Sequence, residues 1–375
     1  MPRVLGVALV GTGGIARAHV NALRRQAEAA PEPAAVGRLV VVASRDADRA
    51  AAAARRFGAD RWTGDWRTVV DDPEVDVVIN AGSNDVHAEP SIAALRAGKA
   101  VLCEKPLARH AVEAASMARA AAEAGRVAMT GFNYRFAPAV VLARRLVRDG
   151  ALGRLYHFRG RYSDDSLLDP AAPHTWRHDR DRAGSGVIGD LASHVIDLAH
   201  FLVGPIVAVT AAVRTYTHTR PTPAGPRPVT VEDAVGATLE FQGGALGTLD
   251  ASGLCPGRKN FLAFELNGDR GTVAFNLERL NELRVYRGDG PARGLTDVLV
   301  TERDHPFGGR WWPPGHILGW EHTFVHQWEE VLRRVTGEDS EVVGATFADG
   351  VAAVRVCDAL VAAAEEGRRL AIPTP

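Results

Sequence analysis

The chain has 375 residues, of which 46% are hydrophobic and 24% are charged. This length exceeds one compact core and favours two domains, at about 100–200 residues per domain. Lysine and arginine (44) nearly balance aspartate and glutamate (45). The balance excludes the positive field that holds a nucleic-acid backbone and the polybasic cluster that anchors a protein to a membrane.

The cysteines and apolar runs predict a protein of the cytoplasm. Cys103, Cys255 and Cys357 are odd in number and widely spaced, so they indicate neither a disulfide framework nor a zinc site. The apolar run Val4–Val10 leads directly into a glycine-rich turn without a cleavage pattern, which favours a buried strand over a signal peptide. No run of the sequence approaches the ~20 apolar residues of a spanning helix.

The first third of the chain alternates short apolar strands with alanine-rich helices. The predicted strands are Val4–Val10, Leu39–Ala43, Val75–Ile79, Ala100–Cys103 and Val127–Thr130. One predicted helix begins near Gly14, and a second follows Ala43 and runs through Arg56. Two further predicted helices cover Pro90–Ala97 and Arg109–Ala124. This alternation predicts βαβ units and a doubly wound parallel sheet, in an α/β domain over residues 1–131.

From Phe132 onward the sequence pattern changes, and longer runs typical of β-strands alternate with a few predicted helices. The predicted strands are Leu155–Tyr162, Ile206–Thr217, Val231–Phe241, Ala245–Ser252, Phe261–Leu266, Thr272–Phe275 and Glu282–Tyr286. The predicted helices are Pro138–Arg148, Gly189–Leu202, Trp320–Arg334 and Phe347–Glu366, and the long loops are Pro221–Pro228 and Arg310–Trp320. Turn pairs such as Gly243-Gly244 favour hairpins, so residues 132–375 are predicted to form an α+β domain with an antiparallel sheet.

A glycine-rich turn follows the first predicted strand and opens the first predicted helix. It consists of Gly11, Thr12, Gly13, Gly14, Ile15 and Ala16. Gly11 and Gly13 permit a tight turn and a close approach of a pyrophosphate to backbone N–H groups, and the small Ala16 lets the helix pack closely on the strand. We predict dinucleotide binding here, the alternative being a turn of purely structural use.

The second predicted strand ends in Ala43-Ser44-Arg45, where an acidic residue normally binds the ribose hydroxyls of NAD. Ser44 has no charge to repel a 2′-phosphate, and Arg45 can pair with one. The alternative is that Ser44 caps the next helix and Arg45 points to water. The cofactor is therefore expected to be NAD or NADP, with a slight preference for NADP.

Lys105 directly follows the predicted strand Ala100–Cys103 and lies between Glu104 and Pro106. Ligands of open α/β sheets bind at this carboxyl edge. A lysine there can reach both a nicotinamide ribose and a substrate hydroxyl, and its charge favours a forming alkoxide. On its own, a lysine at a strand end is more often a solvated surface residue.

Asp190 and His194 are four residues apart in a predicted helix and therefore share one face. A histidine suits the removal of a hydroxyl proton, because the usual pKa of imidazole lies near working pH. Asp190 could orient the imidazole or bind substrate hydroxyls. The alternatives are a buried histidine satisfied by its neighbour and an aspartate that serves only the electrostatics of the helix start. No further ligands at matching spacing indicate a metal site.

Taken together in this order, these motifs resemble the Gfo/Idh/MocA oxidoreductase family over essentially the whole chain. The residues that carry the resemblance are Gly11–Ala16, Asn84 and His87, Glu104-Lys105-Pro106, Phe132-Asn133-Tyr134-Arg135 and Gly189–Asp197. The segments that resemble its inositol- and levoglucosan-dehydrogenase branch are Gly257-Arg258-Lys259-Asn260, Phe275–Arg279 and Trp311–Trp320.

The resemblance implies a Rossmann domain and an α+β domain with a large open antiparallel sheet, assembled as a homodimer or homotetramer through the sheet face. It implies oxidation of a secondary ring hydroxyl of a sugar, anhydrosugar or cyclitol to the ketone with NAD or NADP. The implied cofactor contacts, besides the glycine turn and Ser44 with Arg45, are Ala81, Ser83, Asn84, His87, Glu104 and Lys105. The chain departs from the family at Gly82-Ser83, where Thr-Pro is usual, and at the missing acid after the second strand.

The family's catalytic set falls on Lys105, Asp190 and His194. In the expected mechanism His194 removes the hydroxyl proton, Lys105 stabilises the alkoxide, and Asp190 positions substrate and base. Two other functions stay open: a glycoside-cleaving enzyme that uses NAD as a transient oxidant, and a non-catalytic dinucleotide-sensing regulator. All three residues together argue against the regulator, which needs only the glycine turn.

Further polar and aromatic residues are expected to contact the substrate, together with Lys105, Asp190 and His194. These candidates are Asn133, Tyr134, Arg135, His174, Trp176 and Arg177. Asn133 and Arg135 can equally be structural, and a loop histidine such as His174 is by default solvated. Trp176 could offer a stacking face to a sugar ring or be partly buried. The loop Arg310–His316 is a further candidate.

Overall fold

The computed structural model describes residues 2–28, 33, 35–288, 293–338 and 343–373. The chain divides into two compact units, one made of Met1–Phe136 with Gly319–Val351 and the other of Ala137–Leu318 with Ala352–Pro375. The first unit thus includes Gly319–Val351, a segment from near the C-terminal end of the sequence. The expected domain boundary between residues 131 and 132 stays a prediction.

Strands and helices are numbered in chain order. The strands are β1 Arg3–Val10, β2 Ala35–Ala43, β3 Arg61–Thr63, β4 Val77–Asn80, β5 Ala100–Cys103, β6 Ala128–Thr130, β7 Leu155–Ser163, β8 Ile206–Arg214, β9 Thr219–Thr222, β10 Gly225–Pro228, β11 Ala234–Phe241, β12 Leu246–Ser252, β13 Phe261–Gly268, β14 Gly271–Asn276, β15 Glu282–Arg287, β16 Thr296–Leu299 and β17 Leu370–Ala371. The helices are α1 Gly14–Arg25, α2 Ala47–Phe57, α3 Arg67–Val70, α4 Ala88–Arg96, α5 Ala111–Ala124, α6 Pro138–Arg148, α7 Arg180–Ala183, α8 Ser193–Leu202, α9 Glu321–Val335 and α10 Phe347–Glu366.

The first unit contains a six-stranded parallel sheet in the order β3-β2-β1-β4-β5-β6. The predicted doubly wound α/β architecture is confirmed. Every residue of β4 and β5 is buried, as expected for central parallel strands covered on both faces. Since β1, β4 and β5 are adjacent and parallel, the loops that follow them emerge at one edge of the sheet. The short elements β3 and α3 were not predicted.

The second unit contains a nine-stranded sheet in the order β16-β15-β14-β13-β7-β12-β11-β8-β17. Its pairs are antiparallel except for β7 with β12, so the predicted, largely antiparallel sheet is confirmed. Buried and accessible residues alternate along β12 and β13, because one face of each strand packs on a core. The predicted hairpin at Gly243-Gly244 joins β11 to β12, with Gly244 at a positive φ of 83°.

The prediction of a loop over Pro221–Pro228 was wrong, because these residues form most of the hairpin β9–β10. Proline normally argues against a strand since it cannot donate to a ladder. Here the two strands form a separate two-stranded ribbon, in which Pro221 pairs with Pro226 in register. Gly225 supplies the positive φ of the turn, and its carbonyl accepts a hydrogen bond from the Thr222 hydroxyl (2.7 Å).

The predicted long loop Arg310–Trp320 is a loop, and α9 begins immediately after it at Glu321. Within the described residues, no helix combines the length and the apolar composition that crossing a bilayer requires.

Candidate active site

The glycine turn between β1 and α1 forms an open cradle at the carboxyl edge of the parallel sheet. Gly11 has a φ of +101°, and a Cβ there would lie 2.5 Å from the carbonyl oxygen of Ala81. A Cβ at Gly13 or Gly14 would meet no atom within 4 Å, and the first turn of α1 has neither an acidic residue nor a side-chain cap. Of the other turn residues, Thr12 and Ile15 are partly exposed and Ala16 is buried. The cradle fits a pyrophosphate, because a helix N-terminus favours an anion and glycine lets it approach closely.

The end of β2, expected at the cofactor ribose, presents Ser44 and Arg45. Ser44 is half-buried and its N–H donates to the Thr63 carbonyl (3.1 Å), while Arg45 is exposed. The cap of α2 is Asp46, whose carboxylate accepts the Arg49 N–H (3.0 Å). The alternative that Ser44 caps this helix is therefore wrong.

The loop after β4 is held by Asn80, the last residue of that strand. Its side-chain amide donates to the carbonyls of Val86 (3.0 Å) and His87 (2.9 Å), and its Oδ1 accepts the Gly82 N–H (3.3 Å). Of the loop residues expected to contact the cofactor, Ala81, Asn84 and His87 are buried and Ser83 is half-buried. The buried amide thus fixes the backbone of a loop that follows the sheet edge.

His87 is hydrogen-bonded to the turn that carries Lys105. Its ring is fully buried, and burial lowers the pKa of the imidazole, which is therefore neutral at pH 7. The Nδ1–H donates to the Pro106 carbonyl (2.9 Å), and the buried Nε2 has no hydrogen-bond partner among the described residues. The expected cofactor residue His87 is thus bonded to the loop that follows β5.

Lys105 leaves the sheet at the end of β5, with a half-buried side chain and a cis peptide bond to Pro106. Glu104 beside it is buried, and its Oε2 accepts the Lys105 N–H (3.1 Å). The other carboxylate oxygen lies 2.7 Å from Nε2 of His19. The indole N–H of Trp328 donates to Nδ1 of the same imidazole (3.2 Å). A buried chain of hydrogen bonds thus ends at the backbone of Lys105.

The three residues expected as substrate contacts after β6 are Asn133, Tyr134 and Arg135, and all three are buried in the first unit. The Asn133 amide donates to the Thr323 hydroxyl (2.8 Å). The Arg135 guanidinium lies 3.3 Å from the Asp349 carboxylate. These bonds favour the structural alternative for Asn133 and Arg135, since they tie the segment to residues that lie 190 and 214 positions later.

In the second unit, Asp190 and His194 lie on one helical segment, but its first turn differs from the prediction. Residues Ile188–Ala192 form a π-helical turn that continues into α8, where a regular helix over Gly189–Leu202 was expected. The side chain of Asp190 is 47% exposed, whereas His194 is buried. Such π turns insert an extra residue into a helix and recur at functional sites.

The start of this helix is anchored by the buried Glu232. One carboxylate oxygen accepts the N–H groups of Gly186 (2.8 Å) and Ile188 (2.9 Å). A Cβ at Gly186 would lie 1.9 Å from the Glu232 carbonyl oxygen, so glycine is required for this approach. Burial raises the pKa of the Glu232 carboxyl, and the backbone N–H groups oppose that shift. Two backbone N–H groups at the start of the helical segment thereby gain an acceptor.

Arg177 lies beside Asp190 and over the ring of Trp176, whereas His174 is hydrogen-bonded to a neighbouring hairpin. The Nε of Arg177 is 3.7 Å from Oδ2 of Asp190, and its guanidinium lies over the Trp176 ring, 4.4 Å from the centroid. The Nε2–H of His174 donates to the Pro228 carbonyl (3.1 Å) in the β9–β10 hairpin. Asp190 therefore has the Arg177 guanidinium as a neighbour, and that guanidinium also contacts an aromatic ring.

The end of β7 supplies further neighbours of the pair. The Tyr162 ring lies 5.9 Å from the His194 ring, and its hydroxyl donates to Oδ1 of Asn260 (2.6 Å). Burial, followed by the charge of Asp190, raises the pKa of the Asp164 carboxyl. Two carboxylates, an imidazole and a phenol are thus grouped in this unit, a set that can hold and move a proton.

Residues 5–132 match the family described as oxidoreductase family, NAD-binding Rossmann fold, and residues 140–274 match the GFO/IDH/MocA C-terminal domain. A levoglucosan dehydrogenase from Pseudarthrobacter phenanthrenivorans is 38% identical over 386 aligned positions that cover 98% of each chain. The chain belongs to the Gfo/Idh/MocA family of oxidoreductases.

Other Gfo/Idh/MocA proteins match over the same length. An inositol 2-dehydrogenase from Rhizobium meliloti is 26% identical over 97% of this chain and 98% of its own. A solved structure of levoglucosan dehydrogenase in complex with NADH and levoglucosan has a TM-score of 0.94 at 38% identity, covering 99% of this chain and all of that one. The predicted family, branch and fold are confirmed. The protein is an NAD(P)-dependent oxidoreductase that acts on CH–OH groups, as the sequence predicted.

The roles of several residues near the Gfo/Idh/MocA motifs were not predicted from the sequence. These residues are His19, Asn80, Asp164, Glu232 and Trp328. Asn80 had a signal, since a polar residue closes the apolar run of β4. His19 and Trp328 had none, because they meet across 309 positions of sequence. Among the described residues, no group of three or more histidines, cysteines or acids is placed to hold a metal ion.

His178, next to Arg177, makes a testable contribution to stability. Burial, together with the charges of Arg220, His174 and Arg177, lowers its pKa to about 4 from the ordinary 6.5. Below pH 6.5 the unfolded chain therefore binds a proton at His178 that the folded chain does not bind. The contribution of neutral His178 to the free energy of unfolding is thus present above pH 6.5 and is lost as the pH falls to about 4. The variant His178→Asn, whose oxygen can still accept the Thr175 N–H, should flatten the melting temperature between these pH values. An unchanged slope in the thermal unfolding curves would contradict this assignment.

Proposed function

We propose that the protein oxidises a secondary hydroxyl of a sugar-like ring to the ketone, with an anhydrosugar such as levoglucosan as the first substrate to test. The levoglucosan dehydrogenase of Pseudarthrobacter phenanthrenivorans supports this choice through its 38% identity over nearly the whole chain. Relatives named for xylose, apiose and inositols support the wider class of vicinal polyols.

One observation carries the proposal: the first unit brings a dinucleotide cradle and a lysine to the same edge of one sheet. Gly11 packs on the carbonyl of Ala81 after β4, and Lys105 leaves the neighbouring strand β5. This is the edge at which open α/β sheets bind their ligands. A bound nicotinamide would accept the hydride of the oxidised carbon.

The remaining chemistry falls on the chain's own residues. Oxidation of a hydroxyl releases its proton, and we assign the removal of that proton to His194. The charge of Lys105 stabilises the alkoxide that forms, and Asp190 binds ring hydroxyls and orients them toward the base. Arg177 holds the Asp190 carboxylate from one side, and the Trp176 face is suited to pack against an apolar ring face.

For the cofactor we propose that NADP is accepted at least as well as NAD. The end of β2 offers Ser44 and Arg45, and among the described residues Arg45 has no ion-pair partner. An exposed guanidinium there can pair with a 2′-phosphate. The levoglucosan dehydrogenase structures with NADH make NAD the competing choice.

Assembly as a homodimer or homotetramer remains part of the proposal. It is supported by the accessible face of the nine-stranded sheet, where Phe261 lies among paired charges such as Arg161 with Asp250 (3.2 Å). A cytoplasmic location is supported by the free thiols of Cys103, Cys255 and Cys357, since disulfides are typical of oxidising compartments.

A cofactor-reduction screen tests the proposed activity. Purified protein is mixed with NAD or NADP and with levoglucosan, inositols, xylose and glucosides in turn, and absorbance of the reduced nicotinamide is followed. We expect reduction with at least one anhydrosugar or cyclitol. Release of free sugar from a glycoside without net reduction would instead identify a glycoside-cleaving enzyme, and no turnover with any ring would contradict the proposal.

Substitution of the proposed catalytic residues should lower kcat more than it raises KM. Lys105→Ala and His194→Ala are each expected to slow turnover by roughly 10²–10⁴ at saturating substrate. Because the two residues are proposed to act on one hydroxyl, the double variant should lose much less than the product of the single losses. Lys99→Ala, at the opposite end of β5, is the matched control and should retain turnover. Near-normal turnover of either single variant would refute its assigned role.

Variants at the end of β2 test the ribose contact. Arg45→Ala should raise KM for NADP and leave KM for NAD nearly unchanged, since only NADP carries the 2′-phosphate. Ser44→Asp should shift the preference toward NAD by about tenfold or more, because a carboxylate binds the free ribose hydroxyls and repels a phosphate. Steady-state kinetics with both cofactors measures each effect, and an equal change in the two KM values would remove Arg45 from the site.

A further inference from the structure

A segment without helix or strand leads up to Arg177 in the second unit, and the proposed reaction gives it no role. It runs from Asp164, the residue after β7, to Thr175, and continues into the short helical turn Trp176–His178. That turn carries Arg177, whose Nε lies 3.7 Å from Oδ2 of Asp190. Because the segment has no ladder or helix of its own, other groups must bind its backbone and hold it in place.

A buried arginine of the β9–β10 hairpin binds the middle of this segment. Arg220, the second residue of β9, is only 2% exposed. Its Nη1 donates to the carbonyls of Asp169 (2.7 Å) and Ala172 (3.4 Å), and its Nη2 donates to the carbonyl of Leu167 (2.8 Å). Among the described residues Arg220 has no ion-pair partner, and its Nε has no acceptor. A buried charge requires such partners, so the carbonyls of the segment are what stabilise this guanidinium.

The backbone of the same hairpin holds the chain ahead of Arg177. The His174 N–H donates to the Pro221 carbonyl (2.9 Å), and Nε2–H of the same histidine donates to the Pro228 carbonyl (3.1 Å). Pro221 faces Pro226 across the hairpin. Since proline has no N–H, the Pro221 carbonyl receives no hydrogen bond from that neighbour and accepts one from the segment instead.

Thr230, two residues beyond the end of β10, holds the chain on the other side. Its N–H donates to the His178 carbonyl (3.0 Å), and its hydroxyl oxygen accepts the Arg180 N–H (2.8 Å). Arg177 therefore lies between His174 and His178, which are bonded to the hairpin and to the residue just after it. The place of its guanidinium depends on both of these anchors.

We propose that Arg220 is a positioning residue for substrate binding: through the segment that it binds, it holds the Arg177 guanidinium at the carboxylate of Asp190. The inference rests on the proposed function, in which Asp190 binds ring hydroxyls. Arg220 itself touches neither substrate nor cofactor in this account. Its loss therefore weakens the binding of the polyol more than it slows hydride transfer.

Hydrogen exchange followed by mass spectrometry tests the first step without substrate or cofactor. Arg220→Met keeps an unbranched side chain but removes the charge and every donor. Peptides that cover residues 164–178 should then exchange several-fold faster, because the segment loses its buried hydrogen bonds, whereas peptides from α8 should exchange as in the wild type. Arg270→Met is the matched control, since Arg270 also donates to a carbonyl of this unit, that of Gly150 (2.7 Å), but outside the segment.

Steady-state kinetics with an accepted polyol tests the second step. Arg220→Met should raise KM for the polyol by roughly tenfold, the loss expected for one hydrogen bond to a charged group, and should lower kcat by a smaller factor. The dissociation constant of NADH, measured by fluorescence without polyol, should stay unchanged, because the cradle belongs to the first unit. Arg220→Lys keeps the charge but offers one nitrogen in place of two, so it should behave like Arg220→Met.

A double variant shows whether Arg220 acts through Arg177. Arg177→Ala should raise KM for the polyol by itself, and the addition of Arg220→Met should raise it little further, because the positioned residue is already absent. If Arg220→Met does not fold, Thr230→Val takes its place. Thr230 is exposed, and this change removes only the acceptor of the Arg180 N–H, so KM should rise by a smaller factor in a folded protein.

Three results would each overturn the inference. They are unchanged exchange over residues 164–178 in Arg220→Met, a wild-type KM in that variant or in Arg220→Lys, and KM losses of Arg177→Ala and Arg220→Met that multiply in the double variant. In a protein where Arg220→Met does not fold, a wild-type KM of Thr230→Val has the same meaning. Faster exchange in a chain that oxidises no ring would contradict the proposed function alone, so the two failures are distinguishable.

Discussion

A carboxylate inside a protein costs free energy unless N–H groups reach its oxygens, and each unit of this chain buries one beside its part of the candidate site. In the first unit Glu104 accepts the N–H of Lys105 and a proton of His19. In the second, Glu232 accepts two backbone N–H groups at the start of the helical segment that carries Asp190. The backbone of Lys105 and the start of the helical segment that carries Asp190 are therefore each fixed by a buried carboxylate.

The parallel sheet and its cradle were predictable because their signals are local. The apolar runs of β1 and β5, the glycine turn at Gly11–Ala16 and the Glu-Lys-Pro sequence each lie within a few consecutive residues. Periodicity and turn chemistry determine such elements directly. The antiparallel sheet followed from the same kind of pattern, since accessible and buried residues alternate along its strands.

The features that were not predicted depend on contacts between residues far apart in the sequence, or on residues whose usual preference is overridden by their surroundings. Prolines suppressed the strand signal of the β9–β10 hairpin, whose two strands pair with each other in a separate ribbon. The π turn at Ile188–Ala192 has no sequence periodicity of its own, and the Glu232 carboxylate that binds its first N–H group lies 44 positions later in the chain. The buried roles of Asn133 and Arg135 depend on the segment Gly319–Val351, which no local pattern assigns to the first unit.

The central claim is that hydride passes directly from a ring carbon to a nicotinamide. The most direct measurement uses an accepted polyol with deuterium on the carbon of the oxidised hydroxyl, followed by mass spectrometry of the reduced dinucleotide. The account predicts that the deuterium is recovered in the dinucleotide and that the ring product is the ketone. Loss of the deuterium to solvent, with no label in the dinucleotide, would contradict it.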